Sequence, residues 1–190
     1  MMFVKICGIT RPADATAAVV AGADAIGLNF VATSRRRIGI HTARTILAVV
    51  PDHVMTVGVF RDLAADEVLA VTTVLALDAA QLHGDEPPAF TTEVARGVAT
   101  VIKVFTAGSA SVAAIDRHAA DVVMLDAPLP GGGVAFDWDL VGDLADHHRI
   151  LLAGGLHPDN VGEAVRCVRP WGVDVASGVE LEPGLKDAGA

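Results

Sequence analysis

The chain alternates short apolar runs with longer amphipathic segments, and no other feature of the sequence constrains its fold as strongly. The alternation recurs about every two dozen residues and predicts eight β-strands joined by helices. The predicted strands are residues 3–7, 25–30, 55–60, 79–82, 101–105, 122–125, 150–153 and 172–175. The predicted helices are residues 12–21, 41–50, 64–74, 87–96, 110–118, 139–145 and 160–168.

Strands that alternate with helices are joined by right-handed crossovers and form a parallel sheet. Eight such strands can close into a (β/α)8 barrel, which leaves no open sheet edge, whereas a doubly wound open sheet normally has about five or six strands. We therefore predict an α/β protein with a (β/α)8 TIM barrel that occupies residues 1–190 as one domain. Few residues follow the eighth strand, so we expect the eighth helix to be short or missing.

The composition narrows the class of protein further. Apolar residues make up 52% of the chain and aromatic residues only 4%, so aliphatic side chains must build the core, as in buried parallel strands. A formal net charge of −9 argues against a nucleic-acid surface. There is no apolar run of the roughly 20 residues that cross a bilayer, and no secretory signal pattern. We expect a cytoplasmic protein without nucleic-acid or membrane partners.

Cys7 ends the first predicted strand and shares one face of it with Lys5, because side chains alternate along a strand. A nearby ammonium group favours the thiolate, which is the reactive form of cysteine. The alternative is that Cys7 is a small buried hydrophobic residue, the usual state of a free cysteine. The second cysteine, Cys167, is far away in the sequence, and the two give neither a disulfide framework nor the spacing of metal ligands.

The seventh and eighth predicted strands lead into glycine-bearing loops that contain Gly154, Gly155, Ser177 and Gly178. In a (β/α)8 barrel, functional groups gather at the C-terminal ends of the strands. The loops after these two strands often bind phosphate through backbone N–H groups, because glycine lets the backbone approach an anion closely. The alternative for each loop is an ordinary turn.

Asp126 follows the buried sixth strand and is expected to face Cys7 across the mouth of the barrel. A carboxyl group in such a place can have a raised pKa and act as a proton donor, with a thiolate as the complementary base. The alternative is a carboxylate that caps or anchors a loop.

Strand alternation also predicts a group of polar side chains inside the barrel: Lys5, Gln81, Lys103, Asp126 and Asp174. Two cations opposite two anions would satisfy one another, since unpaired buried charges are costly. His83 is in phase with Gln81, and it could either contact a ligand or form a hydrogen bond within its own loop.

These residues belong to a series of motifs that closely resembles the phosphoribosylanthranilate isomerases, a family of the tryptophan biosynthetic pathway. The resemblance extends from Val4 to Asp187, and no single motif carries it alone. In chain order the motifs are Lys5-Ile6-Cys7-Gly8-Ile9-Thr10, Gly22-Ala23-Asp24-Ala25-Ile26-Gly27, Val57-Gly58-Val59-Phe60, Gln81-Leu82-His83-Gly84, Leu125-Asp126, Gly131-Gly132 with Phe136-Asp137-Trp138, Ala153-Gly154-Gly155-Leu156 with Pro158, Asn160 and Val161, and Val173-Asp174-Val175 through Ser177-Gly178-Val179-Glu180.

The resemblance implies an aldose–ketose isomerase that needs no cofactor and no metal. It would convert N-(5-phosphoribosyl)anthranilate into 1-(2-carboxyphenylamino)-1-deoxyribulose 5-phosphate by an Amadori rearrangement. By this resemblance Asp126 is the general acid that protonates the furanose ring oxygen, and Cys7 is the general base that takes the proton from the sugar C2.

The resemblance also implies which residues bind the phosphorylated substrate. Apart from an arginine, they are His83, Gly154, Gly155, Asp174, Ser177 and Gly178. The carboxylate of the anthranilate ring would meet Arg36, whose guanidinium group can bind it through two hydrogen bonds. The family usually has Ser-Pro-Arg where this chain has Ser34-Arg35-Arg36-Arg37, so the choice among the three arginines stays open. The oligomeric state stays open between monomer and homodimer.

There are two alternatives, one of them another enzyme and the other a protein without catalytic activity. The related histidine-pathway isomerases, and barrels that serve both pathways, carry aspartate at the position of Cys7 and have two similar halves, a repeat that this sequence does not show. The other alternative is a binding protein that has kept the phosphate loops but has lost turnover. The short C-terminus favours it, and the intact pair of Cys7 and Asp126 argues against it.

Overall fold

The strands of the computed structural model, which describes residues 2–128 and 135–190, close into a parallel barrel. They follow one another in chain order, and the first pairs with the eighth, which confirms the predicted (β/α)8 barrel. The strands are β1 (Phe3–Cys7), β2 (Ala25–Asn29), β3 (Met55–Phe60), β4 (Ala79–Leu82), β5 (Thr100–Thr106), β6 (Val122–Asp126), β7 (Ile150–Leu152) and β8 (Gly172–Val175). Gly131 and Gly132 of the sequence motifs lie outside the described residues.

Helices surround the barrel at most of the predicted places. They are α1 (Pro12–Val20), α2 (Ile40–Leu47), α3 (Ala65–Leu75), α4 (Pro88–Val94), α5 (Leu144–His147) and α6 (Val161–Val168). The helix predicted at 110–118 is instead a 3-10 helix, Ala110–Arg117, and the one predicted at 139–145 is divided between a 3-10 turn, Trp138–Val141, and α5. Only Ile115 is buried in the first of these segments. Because helices gain most of their stability from packing an apolar face, such a segment has little to hold it as a regular α-helix.

The described part of the chain has no eighth helix, as the sequence predicted. A short 3-10 turn, Ser177–Val179, leads from β8 into an antiparallel hairpin of β9 (Glu180–Glu182) and β10 (Leu185–Lys186). This C-terminal hairpin lies against the start of α1, where the backbone N–H of Lys186 donates to the carboxylate of Asp14 across 3.3 Å.

The interior of the barrel is filled by small and aliphatic side chains from alternate positions of the strands. They are Ala25, Val57, Ala79, Ile102, Val104, Val122, Met124, Leu151 and Ala153. At the N-terminal end of the strands, the rings of Phe3 and Trp171 stack with their centroids 4.3 Å apart. The opposite mouth is the one at which polar residues gather. No helix in the described part of the chain has the length and apolar character needed to cross a membrane.

One predicted orientation was wrong. Ile102 and Val104 fill the barrel interior, so Lys103 between them points outward, toward the helices. Its ammonium group donates to the carboxylate of Glu86 across 2.8 Å and to the carbonyl of Gly84 across 2.6 Å. Strand alternation fixes which residues share a face, but it does not say which face is the inner one, and a buried lysine suits either face once a carboxylate meets it.

Candidate active site

A cavity of about 500 Å³ opens at the C-terminal ends of the strands. Eight of the nine predicted site residues line it: Cys7, Arg36, His83, Asp126, Gly154, Gly155, Asp174 and Ser177. The ninth, Gly178, lies outside the lining. A side chain at Gly178 would collide with the carbonyl of Leu156, so this glycine lets the loop after β8 pack closely against the loop after β7.

Cys7 lies on the inner face of β1 beside a buried ion pair. The ammonium group of Lys5 is 2.7 Å from a carboxylate oxygen of Asp174 on the neighbouring strand β8. Burial raises the pKa of the Cys7 thiol, and the ammonium group of Lys5 opposes this only in part. Burial would lower the pKa of Lys5, but the charges of Asp174 and of Cys7 raise it. The sequence predicted the effect of the ammonium group and missed the larger effect of burial.

Gly27 on β2 makes room for this arrangement. A methyl group there would lie 2.7 Å from the sulfur of Cys7 and 3.2 Å from the Nζ of Lys5. Any larger residue would therefore displace the thiol, the ammonium group or both, so the packing around β1 keeps the two groups together.

Asp126 ends β6 and lies at the same mouth. One of its carboxylate oxygens, Oδ1, accepts a hydrogen bond of 2.8 Å from the backbone N–H of Ala127. The other, Oδ2, lies 3.2 Å from Nε2 of His83, which thus contacts the candidate acid as well as lining the cavity. The two oxygens have different partners, so a proton on Oδ2 would lie next to the imidazole ring.

The loop that carries His83 is fixed by Glu86, a residue that the sequence analysis did not single out. The Glu86 carboxylate accepts hydrogen bonds from the backbone N–H of Gly84 at 3.0 Å and of Asp62 at 3.2 Å. It also pairs with Lys103. All of these contacts hold the chain one to three residues after His83, so they set the position of the imidazole ring relative to Asp126.

The loop after β7 has the backbone geometry of an anion site. Gly154 and Gly155 have φ values of 85° and 67°, in the left-handed region that favours glycine. Among residues 2–128 and 135–190, no backbone carbonyl or side chain accepts a hydrogen bond from the N–H of either glycine. Asn160 holds the loop, because its Nδ2 donates to the Gly155 carbonyl across 2.9 Å while its Oδ1 accepts from the backbone N–H of His157. The loop leads into the N-terminus of α6, which favours an anion further.

Arg36 lines the cavity and forms a bidentate ion pair with Glu180 of the C-terminal hairpin. Its Nε and Nη2 atoms are 2.8 Å and 2.6 Å from the two carboxylate oxygens of Glu180. Lys186 donates to the same carboxylate across 2.9 Å. Arg35 also lines the cavity but is exposed, and Arg37 does not line it.

The charges of this cluster affect one another. Burial alone would raise the pKa of Glu180, but hydrogen bonds from Arg36 and Lys186 outweigh it, and the pKa falls below its ordinary value. The hydrogen bond to Glu180 also raises the pKa of Arg36. Glu180 belongs to one of the sequence motifs, but its role could not be predicted, because nothing local in the sequence joins a residue of the C-terminal hairpin to an arginine of the second loop.

The fold and the cavity together define a class: a (β/α)8-barrel enzyme with a thiol, a carboxyl group and a glycine-bearing loop at one mouth. A family model for N-(5'-phosphoribosyl)anthranilate (PRA) isomerase matches residues 4–190. The protein of that name from Acidithiobacillus ferrooxidans is 44% identical over 98% of this chain and 92% of its own length. The chain belongs to the N-(5'-phosphoribosyl)anthranilate isomerase family, a family of isomerases of tryptophan biosynthesis.

Solved structures agree with this assignment. Phosphoribosyl anthranilate isomerase from Thermus thermophilus is 42% identical, with a TM-score of 0.92 over 99% of this chain and 94% of that one. A phosphoribosyl anthranilate isomerase in complex with reduced 1-(o-carboxyphenylamino)-1-deoxyribulose 5-phosphate is 38% identical, with a TM-score of 0.89 over 100% of this chain and 94% of that one. The enzyme from Thermotoga maritima, 37% identical with a TM-score of 0.88 over 100% of this chain and 94% of that one, is described as dimeric, and the structure is of monomers derived from it. The alternative of a histidine-pathway isomerase is therefore set aside.

Proposed function

We propose that this chain catalyses the Amadori rearrangement of N-(5-phosphoribosyl)anthranilate to 1-(2-carboxyphenylamino)-1-deoxyribulose 5-phosphate. The observation that carries the proposal is the presence of Cys7 and Asp126 in one cavity, on strands β1 and β6 of a closed barrel. The reaction needs one group that gives a proton and another that takes one, both within reach of the same sugar. The reduced product bound to a relative is consistent with this choice of ligand.

In the first step Asp126 acts as the general acid. It gives its proton to the furanose ring oxygen, the bond between that oxygen and C1 breaks, and the lone pair of the anthranilate nitrogen forms the protonated Schiff base. The backbone N–H of Ala127 occupies Oδ1, so the proton is held on Oδ2, beside His83. Each turnover leaves Asp126 without its proton and Cys7 with one, so a proton returns from the thiol to Oδ2 through solvent before the next turnover, and the imidazole ring beside Oδ2 can take part in this transfer.

In the second step Cys7 acts as the general base. The thiolate takes the proton from C2, and the C–H electron pair becomes the C1–C2 double bond of an enolamine while the Schiff-base nitrogen regains its lone pair. Proton transfer from the C2 hydroxyl to C1 then gives the ketone. A buried thiol with a raised pKa is a strong base once it is deprotonated, and the ammonium group of Lys5 stabilises the thiolate as it forms.

The binding residues divide between the two ends of the substrate. We assign the phosphate to the N–H groups of Gly154 and Gly155 and to the loop of Ser177 and Gly178, and the ring carboxylate to Arg36. His83 lies next to the acid, and Asp174 pairs with Lys5, which shares the inner face of β1 with the base; these two residues complete the site. In this proposal the protein itself supplies every proton and charge, so the reaction needs no cofactor. A cytoplasmic location and a monomeric or homodimeric state stay predictions.

The test is the anthranilate fluorescence of freshly made phosphoribosylanthranilate after addition of the purified chain. We expect the fluorescence to fall rapidly only when the enzyme is present, and the ribulose product to form at the same time. A correctly folded chain that binds the reduced product but causes no loss above the spontaneous rate would refute the proposal and support a binding protein instead.

A further inference from the structure

The guanidinium group of Arg36 is only partly used by the protein itself. Arginine carries five N–H donors in a planar fork. Glu180 accepts from Nε and Nη2, the side edge of the fork, at 2.8 Å and 2.6 Å. Among the described residues, nothing accepts from Nη1 or from the second hydrogen of Nη2. One hydrogen of Nη1 and this second hydrogen of Nη2 form the end edge, which has the spacing of a second carboxylate.

Glu180 lies behind Arg36 and outside the cavity. Arg36 lines the cavity whereas Glu180 does not, and the Glu180 side chain is only 4% exposed. Lys186 holds Glu180 from the other strand of the hairpin at 2.9 Å. The cluster of Arg36, Glu180 and Lys186 therefore contains two cations and one anion, and Arg36 is the member that lines the cavity.

The cluster is connected to both ends of the proposed substrate site. The ammonium group of Lys186 also donates across 2.8 Å to the carbonyl of Ala176, the residue before Ser177 in the loop assigned to phosphate. The aliphatic part of Arg36 lies against the backbone of Gly8, the residue after Cys7, where any side chain would collide with it. The C-terminal hairpin thus holds the arginine in register with the phosphate loop and the thiol.

We propose that Glu180 is a positioning residue that holds the guanidinium group of Arg36 with its end edge toward the cavity, where it binds the ring carboxylate of the substrate. This inference rests on the proposed function, because it assigns one part of that site. A free arginine side chain loses considerable rotamer entropy when it binds a ligand. Glu180 and Lys186 fix the side chain before the substrate arrives, so this entropy is lost during folding and not during binding.

The test compares two ligands and two variants. The ligands are the reduced product, which carries the ring carboxylate, and its counterpart made from aniline, which lacks it. The variants are Glu180→Gln and the matched control Glu182→Gln, which changes an exposed glutamate on the same strand. We expect Glu180→Gln to weaken binding of the reduced product by about tenfold, which is the scale of one lost charge-assisted contact. The affinity for the aniline compound should stay within about twofold of that of the wild-type chain. The control should change neither.

Kinetics separate positioning from a general structural role. For Glu180→Gln the KM for phosphoribosylanthranilate should rise while kcat stays within a few-fold, and Lys186→Met, which leaves Glu180 in place, should show a smaller rise in KM. An equal loss of affinity for both ligands, unchanged binding of the reduced product, or tighter binding would each overturn the inference. The wild-type chain separates the two proposals: selective binding of the carboxylate-bearing ligand without turnover would refute the isomerase and leave the role of Glu180 intact.

Discussion

Lys5 and Asp174 form an ion pair of 2.7 Å inside the closed barrel, on the face of β1 that also carries Cys7. Lys5 is fully buried, so its charge acts on the thiol with little screening by solvent. The carboxylate of Asp174 holds the ammonium group in place, and Gly27 leaves the space in which it meets the sulfur. The pKa of Cys7 therefore depends on burial, which raises it, and on the ammonium group of Lys5, which opposes that effect.

Replacing Lys5 with methionine should raise the pKa of Cys7 further. Burial already raises it, and the substitution removes the ammonium group that opposes this effect. The measurement is the ultraviolet absorbance of the thiolate as a function of pH in a Cys167→Ser background, which leaves Cys7 as the only thiol. Lys103→Met is the matched control, because it removes another buried ammonium group on the outer face of the barrel. A Cys7 pKa that is unchanged or lower in Lys5→Met would show that the ammonium group does not act on the thiol.

The cluster of Arg36, Glu180 and Lys186 should make the free energy of unfolding depend on pH in the acid range. The pKa of Glu180 is lowered in the folded state, so its contribution is present above the unfolded pKa of about 4.3 and is lost as the pH falls through the lower folded pKa. We expect Glu180→Gln to reduce the free energy of unfolding by about 2 kcal/mol near neutral pH, and the difference to shrink toward zero in acid. Denaturant titrations at several pH values measure it. Glu182→Gln should show no such dependence, and a difference that persists at low pH would contradict the assignment.

Gly154→Ala should damage the loop assigned to phosphate. The φ of 85° is unfavourable for alanine, and the added methyl group would meet the backbone of Ala127, next to Asp126. We expect the KM for phosphoribosylanthranilate to rise by about tenfold or more, together with weaker competition by inorganic phosphate. Gly162→Ala in α6 is the control, because a methyl group there meets only the end of Arg166 at 3.6 Å. It should leave KM unchanged. A normal KM in Gly154→Ala would remove this loop from the site.

Asp126→Asn should nearly abolish turnover, since an amide cannot give the proton that opens the sugar ring. The substitution keeps the size of the side chain and an oxygen for the N–H of Ala127, so binding of the reduced product should stay within a few-fold. Asp121→Asn is the control: that carboxylate precedes the same strand and, within the described residues, accepts only from the backbone N–H of Val101 at 2.8 Å. Near-normal turnover in Asp126→Asn would refute its role as the general acid.

The sequence predicted the barrel well because the signals that define it are local. Each strand is a short apolar run, and the residue that ends it, such as Cys7 or Asp126, is read directly from the sequence. Because parallel strands of a barrel all end at the same mouth, eight of the nine predicted residues could be placed around one cavity without knowledge of any contact.

The features that were missed or predicted wrongly depend on contacts between distant parts of the chain. Glu180 pairs with Arg36, which is 144 residues away in the sequence. Glu86, in the loop after β4, pairs with Lys103 on β5. Neither pairing leaves a local pattern, so the partner of Arg36 was missed and Lys103 was assigned to the wrong face. The pKa of Cys7 is a similar case, since its burial depends on how β2 and β8 pack against β1.

The most direct test of the proposed mechanism is the turnover of phosphoribosylanthranilate by Cys7→Ser, measured beside binding of the reduced product to the same variant. A hydroxyl group is a far weaker base than a thiolate near neutral pH, and serine fits the space beside Gly27 and Lys5. Turnover should be almost abolished, and binding should stay within a few-fold of the wild-type chain. Wild-type turnover in Cys7→Ser would exclude Cys7 as the base and contradict the mechanism.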